Sequence, residues 1–539
     1  MKVSVASLGG AGEIGMNMYI YESDRYAVIV DCGVKFTKSD EPGVDFIIPD
    51  FSYLEEIKEK EKLLIITHAH EDHIGAVGFL LKQYPNILVA SGRYSYDIMI
   101  KRLKEFNIEP SKVFLDDFKS FEWGDFNILP IPISHSIHGT YGIRLKVADE
   151  FTFFHISDYK IDTAPVTCSP FPVSEFVNVG MEGVDCLLAD STNIVKKGFT
   201  KGEREVVANI GKVFEKASGR IFFTTFASNT ERLQTVFNEA EKHNRKIVLE
   251  GSSLIRNVDT ARKYGKLKYD DNILVTRKQM EKMEDNRLCF IATGSQGEQA
   301  SVISRISEQD YSNIKIREND TFIFSTRIIP GNEHKVISII NNIYKMGGNV
   351  ITVDDLPIHV SGHSAKEDGR LLLNILRPKY LVPIHGEIQH LVSHKNLAYE
   401  QGMEKERVVF FLSGEKLIFE NKSLICKEEI PVGKHYVDIN MNEILDIDKL
   451  KMRKRLAING IIMVVNTAGK SNILEKENII IKTTGFILQD EYKETLIEQF
   501  INYNDISEQE DFKTYAEVII KRFFKKRFNK KPVIEIITV

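Results

Sequence analysis

The chain has 539 residues, 43% of them hydrophobic and 27% charged, and a formal net charge of −5. That length exceeds what one hydrophobic core serves, so two or three domains are expected, and the composition excludes a disordered chain. No apolar run reaches the roughly 18 residues that a membrane span needs, and there is no signal peptide, so a soluble cytoplasmic protein without a membrane partner is expected. The five cysteines (Cys32, Cys168, Cys186, Cys289, Cys426) show no CxxC spacing, which argues against a disulfide framework or a cysteine zinc site. With an acidic balance, any nucleic acid must be gripped by local basic surfaces. Lys242–Lys268 offers eight Lys/Arg against two acids, and Lys521–Lys531 seven against none.

In chain order, a strand-like Lys2–Leu8 leads into Gly10-Ala11-Gly12-Glu13-Ile14-Gly15, which has the letters of a dinucleotide-binding turn. A helix should follow such a turn, but two strand-like runs follow instead, Met18–Tyr21 and Tyr26–Asp31. The expectation is a hairpin whose glycines let backbone pass close to a cleft, with Asp31 orienting a ligand there. The apolar run Leu63–Ile66 reads as a buried parallel strand, and His68-Ala69-His70-Glu71-Asp72-His73 follows it directly, ahead of a helix starting at Ile74–Leu81. Ligands at a strand's C-terminal end are aimed into a cleft. Imidazoles suit zinc and its transition-metal neighbours, and the Asp72 carboxylate adds a hard oxygen.

Strand and helix signals alternate to about residue 110, and strand-rich Phe126–Ile133, Tyr141–Val147 and Phe151–Ile156 follow. They end near two more ligand candidates, His135 and Asp158. His138 competes with His135, while His155 lies inside a strand run and reads as core. One further nitrogen is needed to close a second metal sphere. The next credible one is His385, after the strand-like Lys379–Ile384, so far downstream of Asp158 that one shared site requires an inserted domain. Short buried strands at Ile221–Thr225, Lys246–Leu249, Leu288–Ala292, Thr321–Phe324 and Asn349–Val353, several separated by helical runs such as Glu231–Glu241 and His334–Met346, predict a parallel α/β sheet there.

The spacing from His68 to His73 resembles that of the metallo-β-lactamase superfamily. Asp190 in Ala189-Asp190-Ser191-Thr192-Asn193, His363 in His359-Val360-Ser361-Gly362-His363-Ser364 and His385 in Pro383-Ile384-His385-Gly386-Glu387 resemble the signature motifs of its β-CASP branch, whose members cut nucleic acids. Thr225–Asn229, Thr293–Glu298 and Ile329–Glu333 further resemble the bacterial ribonuclease J family, and the likeness runs essentially end to end. Two departures stand out. Glu231 occupies a position usually held by His, and Asn440–Leu450 lacks a glycine-rich turn.

The resemblance implies an αββα metallo-β-lactamase sandwich at 1–198 and 358–425, an inserted β-CASP parallel α/β domain at 199–357, a linker at 426–445 and a small C-terminal α/β domain at 446–539. It implies two divalent ions, zinc in preference to manganese or magnesium, serving phosphodiester hydrolysis. His68, His70 and His135 hold one, Asp72, His73 and His385 the other, and Asp158 bridges them. Asp190 orients a ligand or the nucleophile, with Asp72 also counted as catalytic, and His363 serves as phosphate donor or general acid. His359, Val360, Ser361, Gly362 and His363, with Ser228, form a phosphate-binding concavity. The turns Gly294–Gly297 and Ser325–Arg327 are candidates to complete it. The implied activity is 5′-to-3′ exonuclease action on single-stranded RNA bearing a 5′-monophosphate, with endonuclease activity, in RNA decay and in rRNA and mRNA maturation. The implied assembly is a homodimer or homotetramer through the C-terminal domain. Three rivals remain. A DNA-directed β-CASP nuclease would share every motif, a noncatalytic subunit of an RNA-processing complex has no need of intact ligands, and a small-molecule hydrolase has no need of the insertion.

Overall fold

Successive side chains of a strand point to opposite faces of its sheet, and in the strand Cys186–Asp190 both faces are buried. Cys186 and Leu188 join one hydrophobic core, Leu187 and Ala189 another. The computed structural model describes residues 1–37, 41–298, 300–311, 314–329, 331–438, 443–467, 474–502 and 512–539. Pro330 and residues 440–442, parts of stretches singled out above, lie outside them.

The first core is sandwiched between two sheets. One has six strands, in the order Phe121–Trp123, Phe126–Ile133, Thr140–Val147, Phe151–Ile156, Cys186–Asp190 and Tyr380–Ile384. The other has eight, in the order Ser423–Glu429, Glu415–Glu420, Lys2–Gly9, Met18–Glu22, Tyr26–Val30, Glu61–Ile66, Leu88–Ser91 and Lys112–Phe114. The second core lies under the helices Val173–Glu182, Lys366–Leu376 and Ile388–Glu400, which contribute Phe176, Val179, Leu372, Leu373, Leu376 and Leu397. On the far side of the eight-stranded sheet Leu64 and Ile66 are fully buried, although only Leu63 and Ile65 face the first core. This is the expected αββα sandwich.

Met18–Glu22 and Tyr26–Val30 pair antiparallel, as the hairpin reading requires, while Tyr26–Val30, Glu61–Ile66 and Leu88–Ser91 run parallel. The helix expected from Ile74 onward is split into Glu71–Ile74 and Val77–Gln83. Ala76 N–H donates to the Cys32 carbonyl, and a Cβ on Gly75 would strike Val34, so packing against the hairpin interrupts the helix. Residues 426–429 of the stretch expected as linker belong to the edge strand Ser423–Glu429.

Cys186–Asp190 pairs parallel with Tyr380–Ile384. Between them the chain builds a separate sheet of five parallel strands, in the order Lys246–Glu250, Leu288–Ala292, Ile221–Thr224, Thr321–Phe324 and Asn349–Ile351. Its register aligns Phe290, Phe222 and Phe322, whose rings stack at 4.5 Å and 6° from parallel. The chain divides into two units, one of Met1–Lys35 with Ile48–Lys434, the other of Phe36–Ile47 with His435–Val539. The latter contains a three-stranded sheet (Ile479–Thr484, Ile461–Asn466, Val533–Thr538) and the helices Asp490–Ile501 and Phe512–Phe528, which share one apolar core.

Candidate metal centre

Five strands of the sandwich end in polar residues at one place. His68 and His70 follow Glu61–Ile66, His135 follows Phe126–Ile133, Asp158 follows Phe151–Ile156, Asp190 closes Cys186–Asp190, and His385 follows Tyr380–Ile384. Potential ligand atoms of His68, His70, His135 and Asp158 lie within 4.8 Å of one another, as do those of Asp72, His73 and His385, and those of Asp158, His363 and His385. In the first group His70 Nδ1 is 3.0 Å from His68 Nε2 and 3.1 Å from His135 Nε2, and Asp158 Oδ2 is 3.5 Å and 3.4 Å from those two Nε2 atoms. In the second, Asp72 Oδ2 is 3.5 Å from His73 Nε2 and 3.2 Å from His385 Nε2. Asp158 Oδ1 faces this group, 3.3 Å from His73 Nε2 and 2.9 Å from His385 Nδ1.

The surroundings hold these rings in place. Asp31, at a left-handed φ of 62°, accepts from Thr67 N–H and Oγ1–H at 2.8 Å each and lies 2.8 Å from His73 Nδ1. His135 Nδ1 donates to the Gly362 carbonyl at 2.7 Å, and a Cβ on Gly362 would sit 2.7 Å from the same ring, which only glycine avoids. His385 N–H donates to the Gly10 carbonyl at 2.7 Å, and Gly10 has φ 85°, so the glycine loop passes beside the cleft as expected. Thr192 Oγ1–H donates to the His385 carbonyl, and Asp190 Oδ2 is 2.9 Å from His363 Nδ1. His363 Nε2 then lies 3.8 Å from Asp158 Oδ2.

Burial pushes His68 down to about 4, aided by the charge on His73, and His70 down to about 3, aided by His68. Burial likewise holds His135 well below the usual range. For His73 and His385 burial also opposes the charged form, but Asp158 and its neighbouring carboxylates outweigh it and hold both well above the usual range. Asp72 and Asp158 stay ionised against burial because of these imidazoles, and Asp190 is lowered to about 2 by His363 and His385. His363 is raised, Asp190 and Asp158 overcoming its burial. Asp72 and Asp158 thus converge among imidazoles, Asp158 Oδ1 lying 2.9 Å from His385 Nδ1 and 3.3 Å from His73 Nε2. Imidazole nitrogens and ionised carboxylate oxygens converging in this way are the donor set of a divalent transition metal, whose charge would replace the protons that His73 and His385 otherwise hold. The residues fit two such ions.

Of the remaining candidates, His138 points away, with Nε2 3.0 Å from Thr167 Oγ1 and Nδ1 3.4 Å from Cys168 Sγ. His155 is core, its Nδ1 2.8 Å from Tyr21 Oη. His359 is half-buried with Nδ1 unpartnered, Val360 is buried, and Ser361 Oγ accepts from His363 N–H at 3.0 Å. Ser228 Oγ lies 3.1 Å from His70 Nε2. Gln296 links its own turn to the next, donating to Thr326 Oγ1 and the Arg327 carbonyl. Glu231 is fully buried, and its Oε1 accepts from the backbone N–H groups of Val166, Thr167 and Cys168 at 2.8, 3.0 and 3.2 Å. It is a clamp on a core loop, a role no local pattern announces. Asn17, whose Nδ2 lies 3.2 Å from His73 Nε2, and Thr67 were likewise not singled out from sequence; Thr67 alone carries a local signal, as the hydroxyl next to His68.

Residues 11–149 match the model of the Metallo-beta-lactamase superfamily, 218–343 that of the Ribonuclease J, beta-CASP domain, and 357–409 that of the Zn-dependent metallo-hydrolase RNA specificity domain. Fold and site together define a metal-dependent hydrolase of the nuclease class, with a metallo-β-lactamase core and a β-CASP insertion. Ribonuclease J of Corynebacterium glutamicum is 32% identical over 544 residues, covering 98% of this chain and 75% of its own length. That of Thermus thermophilus is 31% identical over 545 residues, covering 99% and 94%. The chain belongs to the ribonuclease J family. A crystal structure of a protein of unknown function from Enterococcus faecalis shares the fold, with a TM-score of 0.53 at 15% identity over 78% of this chain and all of that one.

Proposed function

We propose that this chain degrades single-stranded RNA from a 5′-monophosphate end, releasing mononucleotides, with internal cleavage as a second activity. The observation that carries this reading is the pair of adjacent ligand clusters, Asp158 belonging to one and lying 3.3 Å and 2.9 Å from His73 and His385 of the other, with His363 held beside them by Asp190. His68, His70, His135 and Asp158 would hold one ion and Asp72, His73 and His385, with Asp158, the other, zinc being the best match to a nitrogen-rich set. The chemistry such ions supply is Lewis acidity toward a phosphodiester and neutralisation of charge developing on its oxygens.

His363 does the corresponding work from the protein side. With Nδ1 fixed on Asp190, it directs Nε2–H into the cleft, as donor to a phosphate oxygen or as acid to the leaving 3′-oxygen. Ser361 and Gly362 precede it in a loop that seats the terminal phosphate, alongside His359 and Val360. Ser228 Oγ accepts from His70, which leaves its own hydrogen free to donate to the same phosphate. We take 199–357 as the insertion, 446–539 as the C-terminal domain, and the latter as the self-association surface. No helix among the described residues is long and apolar enough to cross a membrane.

The reading is tested by digesting matched 5′-monophosphate and 5′-hydroxyl RNA and DNA oligonucleotides with added zinc, manganese or magnesium. Mononucleotides released chiefly from 5′-monophosphate RNA are expected. Equal rates on both ends, or on DNA, overturn it. A chain ending near residue 440 is expected to lose its oligomeric state by light scattering while keeping both metals; if it stays dimeric, the association surface lies elsewhere.

A further inference from the structure

Each imidazole at the two clusters has an outward nitrogen for a neighbour to satisfy, and such neighbours set ring orientation and ligand basicity. For four of the five, that neighbour belongs to the sandwich. His68 Nδ1 lies 3.0 Å from Thr67 Oγ1, His73 Nδ1 2.8 Å from Asp31 Oδ2, and His135 Nδ1 2.7 Å from the Gly362 carbonyl, while His385 Nδ1 lies 2.9 Å from Asp158 Oδ1 and 3.3 Å from Thr192 Oγ1. His70 differs. Its Nδ1 faces His68 and His135, and its Nε2 lies 3.1 Å from Ser228 Oγ, on the inserted domain. With the Nδ1 lone pair turned to an ion, Nε2 carries the hydrogen and donates it to Ser228.

Ser228 is held firmly in the frame of that domain. It lies between the strand Ile221–Thr224 and the helix Thr230–Lys242, where Asn229 N–H donates to the Phe226 carbonyl and Thr230 N–H to the Ser228 carbonyl. The Asn229 side chain caps the helix by accepting from Arg232 N–H at 3.0 Å, and the Arg232 side chain is buried on Glu203. A turn fixed in this way moves with its domain.

We infer that Ser228 is a positioning residue through which the inserted domain completes the first metal site, coupling ion affinity at His68, His70, His135 and Asp158 to the seating of the turn 225–229. The inference rests on the two-ion reading above. Coupling of this kind is reciprocal, so the ion steadies the turn as much as the turn favours the ion. It also makes the insertion a contributor to the catalytic core and more than a lid over it.

The test uses the full chain, stripped of metal, as wild type, Ser228→Ala and Ser228→Thr. Zinc is titrated in competition with a chromophoric chelator, and hydrogen–deuterium exchange of the 221–232 segment is followed with and without zinc. The alanine variant should bind one of the two ions about tenfold more weakly, the usual lower range for loss of such a partner, and leave the other unchanged. The threonine variant, which keeps the hydroxyl, should retain wild-type affinity. Zinc should slow exchange at 225–229 in wild type and Ser228→Thr, but not in Ser228→Ala. If wild type takes up two ions and Ser228→Ala binds both as tightly with the same protection, the inference fails and the two-ion reading stands. Equal weakening at both sites also overturns it, because that reports a general loosening. If wild type takes up no zinc, the two-ion reading fails first and the coupling with it.

Discussion

The sandwich and the inserted domain both gather polar residues at the C-terminal ends of their strands, yet they load those ends with different chemistry. In the sandwich the strands run out into His68, His135, Asp158, Asp190 and His385. In the insertion, Ile221–Thr224, Leu288–Ala292 and Thr321–Phe324 run out into Thr225–Asn229, Thr293–Gly297 and Ser325–Arg327, which offer mostly hydroxyls, amides and glycines. Several charges of the insertion are paired internally: the buried Arg220 on Asp320 and Arg232 on Glu203, and the exposed Arg277 on the buried Glu250. Part of the basic run Lys242–Lys268 is engaged by the protein itself, within the insertion or on the sandwich. Arg245 donates to the Gly219 and Leu288 carbonyls, Lys263 pairs with Asp97 and Arg262 with Asp271. The sandwich sets its clustered carboxylates against imidazoles whose protons a cation would replace, whereas the insertion presents mostly neutral donors at its strand ends. A division between chemistry and grip follows from that contrast.

The sharpest break of the comparison is Asp158→Ala. It removes the carboxylate that belongs to one cluster and faces the other, so hydrolysis should fall at least a thousandfold, on the order of 4 kcal/mol of transition-state stabilisation, with metal content reduced and the fold intact by circular dichroism. Asp72→Ala and His73→Ala should act in the same direction. A metal-free Asp158→Ala protein with full activity would refute the assignment. On the insertion side, Arg232→Ala leaves Glu203 buried without its partner and opens hydrogen bonds to Ser325 and Ile358. Its effect should be on stability, about 3–5 kcal/mol, read as a lower denaturant midpoint. Metal content at low temperature should be unchanged. If stability holds, the pair contributes less than its burial implies.

Glu231→Gln sharpens the contrast at smaller scale, because the amide keeps one acceptor for the Val166–Cys168 loop but loses the charge facing Lys160. A cost of about 1–3 kcal/mol is expected, measured by the same denaturation. The smallest effect is assigned to Ser361→Ala, which should lower the preference for a 5′-monophosphate about tenfold, or about 1.4 kcal/mol, with less change in internal cutting. Parallel losses in both activities would place Ser361 in general support of His363 instead of phosphate recognition.

Much of this molecule was legible from local pattern. Strand-end histidines, the hairpin that disqualifies the glycine-rich turn as a dinucleotide site, and the α/β periodicity of the insertion are short-range signals, because strand alternation and turn chemistry act over a few residues. Choosing His135 over His138 was not local. Both follow the same strand, and only packing sends one ring to His70 and the other to Thr167. The same holds for Glu231, whose three backbone partners lie on a loop far upstream, and for the split helix after His73, which the hairpin at Cys32 interrupts. The sequence by itself determined which residue types stand at which strand ends, and hence that a divalent metal site forms. Tertiary structure alone decided which side chains share a cluster and that a serine of the insertion holds a histidine of the core, since hydrogen-bond partners and burial are properties of segments brought together from distant parts of the chain.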